Sequence, residues 1–424
     1  PYYLEQSHFV VLDRHKTQIL SMTGLSDRAI QIRVFLLRKL REIAGHFTAI
    51  TDFGSNESPL GELFAACRAA IATQFKMDMV SKIVLKDIDS PPQRLELNIN
   101  RFSAMKHFVE PTSQTAPLLD QFIKQIPKER IPALKREKVP WKLYLAGEGA
   151  IDAGGPGRDV FTELCTEMHN EKLGLFVPTP NYRDSPNNAQ LFIPSPYALS
   201  DVQRQQYYYV GVFMSVAYIC QLQQPFRFSS FIWDSLSNRS IDIEEIYEID
   251  NAFYQLMKSL EEIDPAMTES EFEQEFHLVF TVQNSLGDEI ELMPGGMHVP
   301  VTLDRRAEYI RRAQKFRIHE FDRQLESIRE GFGFFFPKSI LSLLSSLDIE
   351  LLVCGDNDVP IERLKQFCKY PQCKQSDMLW EVLESFTSEE RRLFIKFSCG
   401  RNGLPAPGGT WPNKLVIEFT ESKK

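Results

Sequence analysis

Apolar residues recur at helical spacing along most of this chain and alternate in only a few short runs. In residues 29–43, Ile30, Ile32, Val34, Phe35, Leu36, Leu37, Leu40 and Ile43 interleave with Arg and Lys at roughly the period of a helix. A second helix is predicted over 59–74, after the polar turn Asp52-Phe53-Gly54-Ser55-Asn56. Residues 82–85 and 94–99 read as strands, the latter through the alternation Leu95, Leu97, Ile99. Residues 111–139 are polar and dotted with Pro, which suits connecting helices and loops. A strand over 141–145, a Gly-rich loop over 147–157 and a helix over 158–169 follow. The Pro- and Asn-rich stretch 176–197 reads as mostly loop. An apolar helix is expected over 207–221, another after 225, and an amphipathic helical stretch over 241–264, where Phe253, Leu256, Met257 and Leu260 share one face. Residues 277–282 alternate like a strand, with Leu286-Gly287-Asp288 as the turn into a partner over 289–292. One long helix is predicted over 303–331, shorter ones over 337–352 and 376–386, and a last short strand over 415–419. The pattern is α+β and mostly helical, with small sheets and no internal repeat.

Composition narrows the class. The chain carries a formal charge of −9, which argues against a nucleic-acid partner and against adhesion to an anionic membrane. The basic pairs Arg305-Arg306 and Arg311-Arg312 fit the solvated face of a helix. Cys67, Cys165, Cys220, Cys354, Cys368, Cys373 and Cys399 are odd in number and scattered, which reads as reduced thiols of an intracellular protein, in cytoplasm or nucleus. Cys368 and Cys373 lie close, but no second Cys/His pair at zinc spacing follows, so neither metal nor cofactor is expected. No apolar run reaches the roughly 20 residues of a membrane span. The opening Pro1-Tyr2-Tyr3 is neither Met nor a leader, so the chain is expected to belong to something longer.

The Gly loop has the layout of a phosphate cradle, strand then glycines then helix. The chemistry departs where it matters: after Gly154 stand Gly155 and Pro156, not a Lys for the terminal phosphates and a hydroxyl for magnesium. Its glycines are expected to serve backbone geometry, with Asp152 capping the helix that follows.

The same loop carries a resemblance. Gly149-Ala150-Ile151-Asp152-Ala153-Gly154-Gly155-Pro156-Gly157-Arg158-Asp159-Val160-Phe161 resembles the most characteristic element of the amino-terminal lobe of HECT-type ubiquitin-protein ligases. Further matches follow in the family's order. They include Phe192-Ile193-Pro194-Ser195-Pro196, the helix around Tyr209–Ala217, and Leu292-Met293-Pro294-Gly295-Gly296 with Val299-Pro300-Val301-Thr302. Next come Glu308-Tyr309-Ile310, Glu330-Gly331-Phe332, Glu350-Leu351-Leu352-Val353-Cys354-Gly355, and the stretch from Phe394 to Pro405. The resemblance spans roughly 95–424.

It implies a bilobal fold: a helical extension over 1–94, an amino-terminal lobe over 95–369, a hinge over 370–376, and an incomplete carboxy-terminal lobe over 377–424. It implies passage of ubiquitin from a ubiquitin-conjugating enzyme (E2) thioester to a catalytic Cys, then to a lysine of a protein substrate. The family's Thr-Cys-aromatic motif does not occur here, so no catalytic residue is assigned and the nucleophile is expected beyond Lys424. A small subdomain over 242–296 would bind the conjugating enzyme, with Leu256, Leu260, Met267, Phe272, Phe276, Leu278 and Phe280 as groove candidates. The hinge would comprise Tyr370, Pro371, Gln372, Cys373 and Lys374, running on to Ser376. Arg158 and Asp152 would be architectural. Ala153 stands where one branch of the family has an aromatic that helps hold ubiquitin, so that exosite is not expected here. The rival reading is a HECT-like scaffold that binds a conjugating enzyme or substrate without catalysis.

Overall fold

A computed structural model describes the chain from Pro59 to Phe419 apart from short stretches, of which 149–154 and 406–413 are the longest, together with scattered positions between 28 and 46. Those scattered positions are helical, in line with the first predicted helix. The loop residues from Gly149 to Gly154, and with them the proposed cap Asp152, lie outside the described residues, as does Cys67.

The helix predicted over 59–74 is shorter, α1 (Pro59–Ala66), and a second, α2 (Thr73–Val84), takes in most of the run read as a strand. Short apolar runs are ambiguous between the two states. Here Val80 and Val84, four apart, are both buried, as one face of a helix requires. β1 (Leu95–Ile99) and β2 (Trp141–Leu145) pair in parallel with Leu95 opposite Trp141. Between them lie α3 (Arg101–His107) and α4 (Leu118–Gln125). α5 (Gly155–Met168) starts three residues earlier than predicted, in the glycines themselves.

The stretch read as loop contains an antiparallel pair, β3 (Phe176–Pro178) and β4 (Phe192–Pro194), and a short α6 (Pro180–Asp184). Each strand ends in Pro, which hid it from a pattern reading. α7 (Asp201–Ile219) begins six residues before the predicted start, because Ser200 and Gln203 form a reciprocal capping box. α8 (Ser230–Leu236) follows.

The amphipathic stretch after it divides into α9 (Ile243–Ile249) and α10 (Asn251–Glu261). Asp250, extended at φ −142°, ends the first and caps the second, its carboxylate accepting from the Phe253 amide at 2.9 Å. α11 (Glu269–Phe276) opens with a capping box of Thr268 and Glu271 that the sequence reading missed. β5 (Thr281–Gln283) and β6 (Glu289–Glu291) form the predicted hairpin. The single long helix is two, α12 (Arg306–His319) and α13 (Asp322–Gly333). The chain bends at Phe321, whose buried ring stacks on Phe231 at 5.5 Å between centroids. α14 (Lys338–Leu343) and α15 (Ser346–Cys354) end this part of the chain. Then come α16 (Ile361–Gln366), β7 (Cys368–Lys369), α17 (Lys374–Ser385), α18 (Ser388–Cys399) and β8 (Leu415–Val416), with β7 and β8 paired in parallel.

Burial divides these elements into two cores. The larger runs from Phe64 to Cys354 and includes Met77, Val80 and Val84. Residues 1–94 are therefore not a separate extension from Phe64 onward. A fully buried ion pair between Lys76 and Asp348, 2.6 Å long, ties α2 to α15. The smaller core gathers Val359, Ile361, Leu364, Cys368, Trp380, Leu383, Ile395 and Leu404.

The buried residues of the larger core end at Cys354 and those of the smaller begin at Val359. In the expected hinge, Tyr370 packs edge-on against Trp380 at 5.0 Å and Ser376 is buried. Gly355 stands between the two cores. Its amide still donates to Leu351 in α15 at 3.0 Å, while the next residue, Asp356, exchanges backbone bonds with Leu404 of the second core. At φ +79° and ψ −179°, Gly355 occupies backbone space that only glycine enters readily.

Candidate docking groove for a partner enzyme

α9, α10, α11 and the β5–β6 hairpin occupy residues 242–296, the span expected to bind a conjugating enzyme. Three of its seven groove candidates are core residues. Leu260, Phe272 and Phe280 are at most 1% exposed and cannot meet a partner. A unit this small has few hydrophobes to spare from its own interior. Met267 and Phe276 are half-buried and pack against the core. Leu256 and Leu278 line a cavity of about 570 Å³ where the subdomain meets the main body.

The cavity has three walls. α10 contributes Ala252, Phe253 and Leu256; the segment leading through β5 contributes Leu278, Thr281 and Val282; α12 contributes Tyr309 and Arg317. Pro180, Arg183 and Asp184 of α6 close the side toward the main body. The Tyr309 hydroxyl donates to the Thr281 carbonyl at 3.0 Å, locking α12 to the strand. Sequence reasoning missed Phe253, Tyr309 and Arg317 as wall residues. Phe253 precedes Leu256 by one helical turn, a signal that could have found it.

Arg317 is the fixed point behind this cavity. Its guanidinium, 1% exposed, donates to Asp250 at 2.8 Å and Glu320 at 3.0 Å, and its face lies 4.9 Å from the Phe253 ring centroid. Glu320 in turn accepts from the Ser285 amide at 2.8 Å and hydroxyl at 2.9 Å. Burial raises the Glu320 carboxyl above its usual range, and the Arg317 charge opposes that rise. One cation thus joins the α10 cap, the hairpin turn and the end of α12. A buried charge of this kind is tolerable only because it is paired and fully hydrogen-bonded.

The thiols sort by surroundings. Burial raises Cys165 and Cys354 well above the ordinary range, Cys220 to about 12 and Cys368 to about 11; Cys399 is raised for the same reason. Cys373 differs. It caps α17, and its thiol is lowered by a hydrogen bond with the Ser376 hydroxyl at 3.5 Å and by that residue's amide. Arg158, on the first turns of α5, shares a narrow cleft with Thr162, Gln221, Gln224 and Arg401. Among the described residues no group of His, Cys, Asp and Glu is arranged to hold a metal ion, and no helix is long and apolar enough to cross a membrane.

Among the described residues, a larger, mostly helical core and a smaller second core follow one another along the chain. The chain belongs to the HECT family: the HECT-domain (ubiquitin-transferase) profile matches residues 162–424. It is similar to human E3 ubiquitin-protein ligase HERC2, with 34% identity over 270 residues, 62% of this chain and 6% of that protein. It is also similar to human E3 ubiquitin-protein ligase HECW2, 25% identical over 63% of this chain and 17% of HECW2. With E3 ubiquitin-protein ligase TOM1 of Saccharomyces cerevisiae it shares 22% identity over 63% of this chain and 8% of TOM1. The matched part is thus a small fraction of these relatives' length.

Proposed function

We propose that the main body receives a ubiquitin-loaded conjugating enzyme at the α10–β5–α12 groove, and that the second body, turning about Gly355, takes up the ubiquitin. The observation that carries this reading is the groove itself. Leu256 and Leu278 stand at its mouth, partly exposed, over a floor of Phe253 and Tyr309 that Arg317 holds in place. A cavity of this size, whose wall mixes Phe253, Leu256 and Leu278 with polar groups such as Thr281 and Asn284, suits one or two inserted side chains of a partner loop.

The chemistry is thioester exchange. A thiolate attacks the carbonyl of the ubiquitin thioester, the conjugating enzyme's thiolate leaves, and one C–S bond replaces another. A substrate lysine amine then displaces the second thiolate to form the amide. Three described cysteines, Cys165, Cys220 and Cys354, are completely enclosed in the main core and hold their protons too tightly for this role. The nucleophile is proposed to lie in the part of the carboxy-terminal lobe that follows β8 in the longer protein.

The test combines binding and chemistry. Leu256→Asp should abolish binding of conjugating enzymes to the chain, measured by biolayer interferometry, without changing its melting temperature. In the longer protein the parent should form a ubiquitin adduct cleaved by thiol reductant, and Leu256→Asp should not. Undiminished binding by Leu256→Asp refutes the groove. Binding with no reducible adduct, across several conjugating enzymes, favours a scaffold.

A further inference from the structure

Charge is distributed very unevenly along this chain. Residues 242–296 contain fifteen Asp and Glu against a single basic side chain, Lys258, a formal charge of −14 where the whole chain carries −9. The other 369 residues are therefore net positive by 5. Many of these carboxylates accept backbone or side-chain hydrogen bonds, but few are neutralised by an ion pair. Of those fifteen carboxylates, Glu245 and Asp250 are the ones that pair with an arginine among the described residues. A unit of 55 residues has a radius of gyration of roughly 10 Å. Most of its charge thus lies within one or two screening lengths of the groove, the screening length being about 8 Å at physiological salt.

We propose that the groove selects conjugating enzymes whose docking face is strongly basic, and that the subdomain's charge governs the rate of encounter more than the lifetime of the complex. This rests on the docking reading given above. Leu256, Leu278 and Phe253 mark where a partner side chain would insert, and the surrounding field marks the sign of the surface that brings it. Concentrated charge of one sign beside a low-dielectric cleft steers an opposite charge toward it and raises association rates. The positive charges in the groove wall do not cancel this field. Arg317 is spent on Asp250 and Glu320, and Arg183 donates to the Ser285 carbonyl. Asp184, Asp250 and Glu289 line the same cavity. Each exposed acid on α11 adds to the field from one flank: Glu269, Glu271, Glu273 and Glu275.

Glu262, Glu273 and Glu275 provide the test, because all three are exposed and no side-chain hydrogen bond or ion pair among the described residues holds them. Changing them together (Glu262→Lys, Glu273→Lys, Glu275→Lys) takes the subdomain from −14 to −8 without touching the cavity wall. Association and dissociation rates of the full chain would be measured by stopped flow against one conjugating enzyme with a lysine-rich docking face, between 20 and about 300 mM salt. The triple variant should associate at least about tenfold more slowly at low salt, show a flatter salt dependence, and dissociate within about threefold of the parent. Reversing the partner's docking-face lysines to glutamate should slow association with the parent, at −14, more than with the triple variant, at −8. An unchanged association rate, or a loss confined to dissociation, overturns the proposal. Leu256→Asp separates the two ideas. If it blocks binding while the triple variant associates normally, only the electrostatic proposal falls; if it binds normally, the docking reading falls first.

Discussion

Two glycines decide how close α7 and α13 come. A Cβ built on Gly211 would sit 2.0 Å from the Ile328 carbonyl oxygen, and one on Gly331 would sit 1.8 Å from the Tyr208 carbonyl oxygen. Each is about 1.4 Å or more short of ordinary contact, and each obstacle is backbone that cannot rotate away. Two effects of a methyl oppose each other here. Ala stabilises a helix interior over Gly by about 1 kcal/mol. Relieving the overlap means parting the helices by more than about 1 Å, which forfeits roughly half or more of the dispersion energy along the crossing. Overpacking typically costs about 1–3 kcal/mol when side chains can yield, and here they cannot. The clash should win, so that Gly211→Ala and Gly331→Ala each lose about 2–4 kcal/mol net. The expected fall in melting temperature is on the order of 5–10 °C. Gly333, two residues along α13 and exposed, has nothing within 4 Å of its Cβ position and is the internal control. Gly333→Ala should be neutral or stabilising by up to about 1 kcal/mol. The double variant Gly211→Ala/Gly331→Ala should cost less than the sum of the singles, because one separation relieves both contacts. Scanning calorimetry that found either inner variant melting above the parent would refute the reasoning.

Other outcomes follow from the same structure. Lys76→Met strands the Asp348 carboxylate, 5% exposed, away from water; the loss should be about 3–5 kcal/mol by chemical denaturation, with part recovered by adding Asp348→Asn. Glu167 accepts from the Leu118 and Leu119 amides, and burial raises its carboxyl to about 7 against an ordinary 4.5. Because the folded state holds the proton more tightly, stability from this group is complete below pH 4.5 and fades as pH rises through 7, by at most about 3 kcal/mol. Glu167→Gln should flatten the melting temperature between pH 5 and 8, and an unaltered pH profile would dismiss that account. Gly355→Ala, which places a methyl at φ +79° and 2.8 Å from the Leu404 carbonyl, should cost about 1–3 kcal/mol and slow ubiquitin uptake in the longer protein. Pro371→Ala, inside the second body, should leave uptake unchanged in a single-turnover thioester assay.

Much of the helical framework was legible from apolar spacing alone, since α7, α8 and the β5–β6 hairpin have strong local signals. What escaped were decisions made by single polar residues. Asp250 divides one amphipathic stretch into two helices because its carboxylate satisfies the Phe253 amide better than a continued turn would. Phe321 divides the long helix because its ring finds Phe231. Of the residues singled out for a groove, Leu256 and Leu278 line a cavity, whereas the burial of Leu260, Phe272 and Phe280 depends on tertiary packing that spacing cannot report. Tyr309 and Arg317 come from a helix fifty residues further on, so only the fold brings them to the site.

The chain passes from the larger core to the smaller at one α-carbon. Gly355 still donates to Leu351 of α15, and Asp356, next along, already exchanges two backbone bonds with Leu404, at 2.8 and 3.4 Å. A side chain at that α-carbon would be pressed between the Leu404 carbonyl and Gln223, so the two cores meet as closely as they do only because the position carries none.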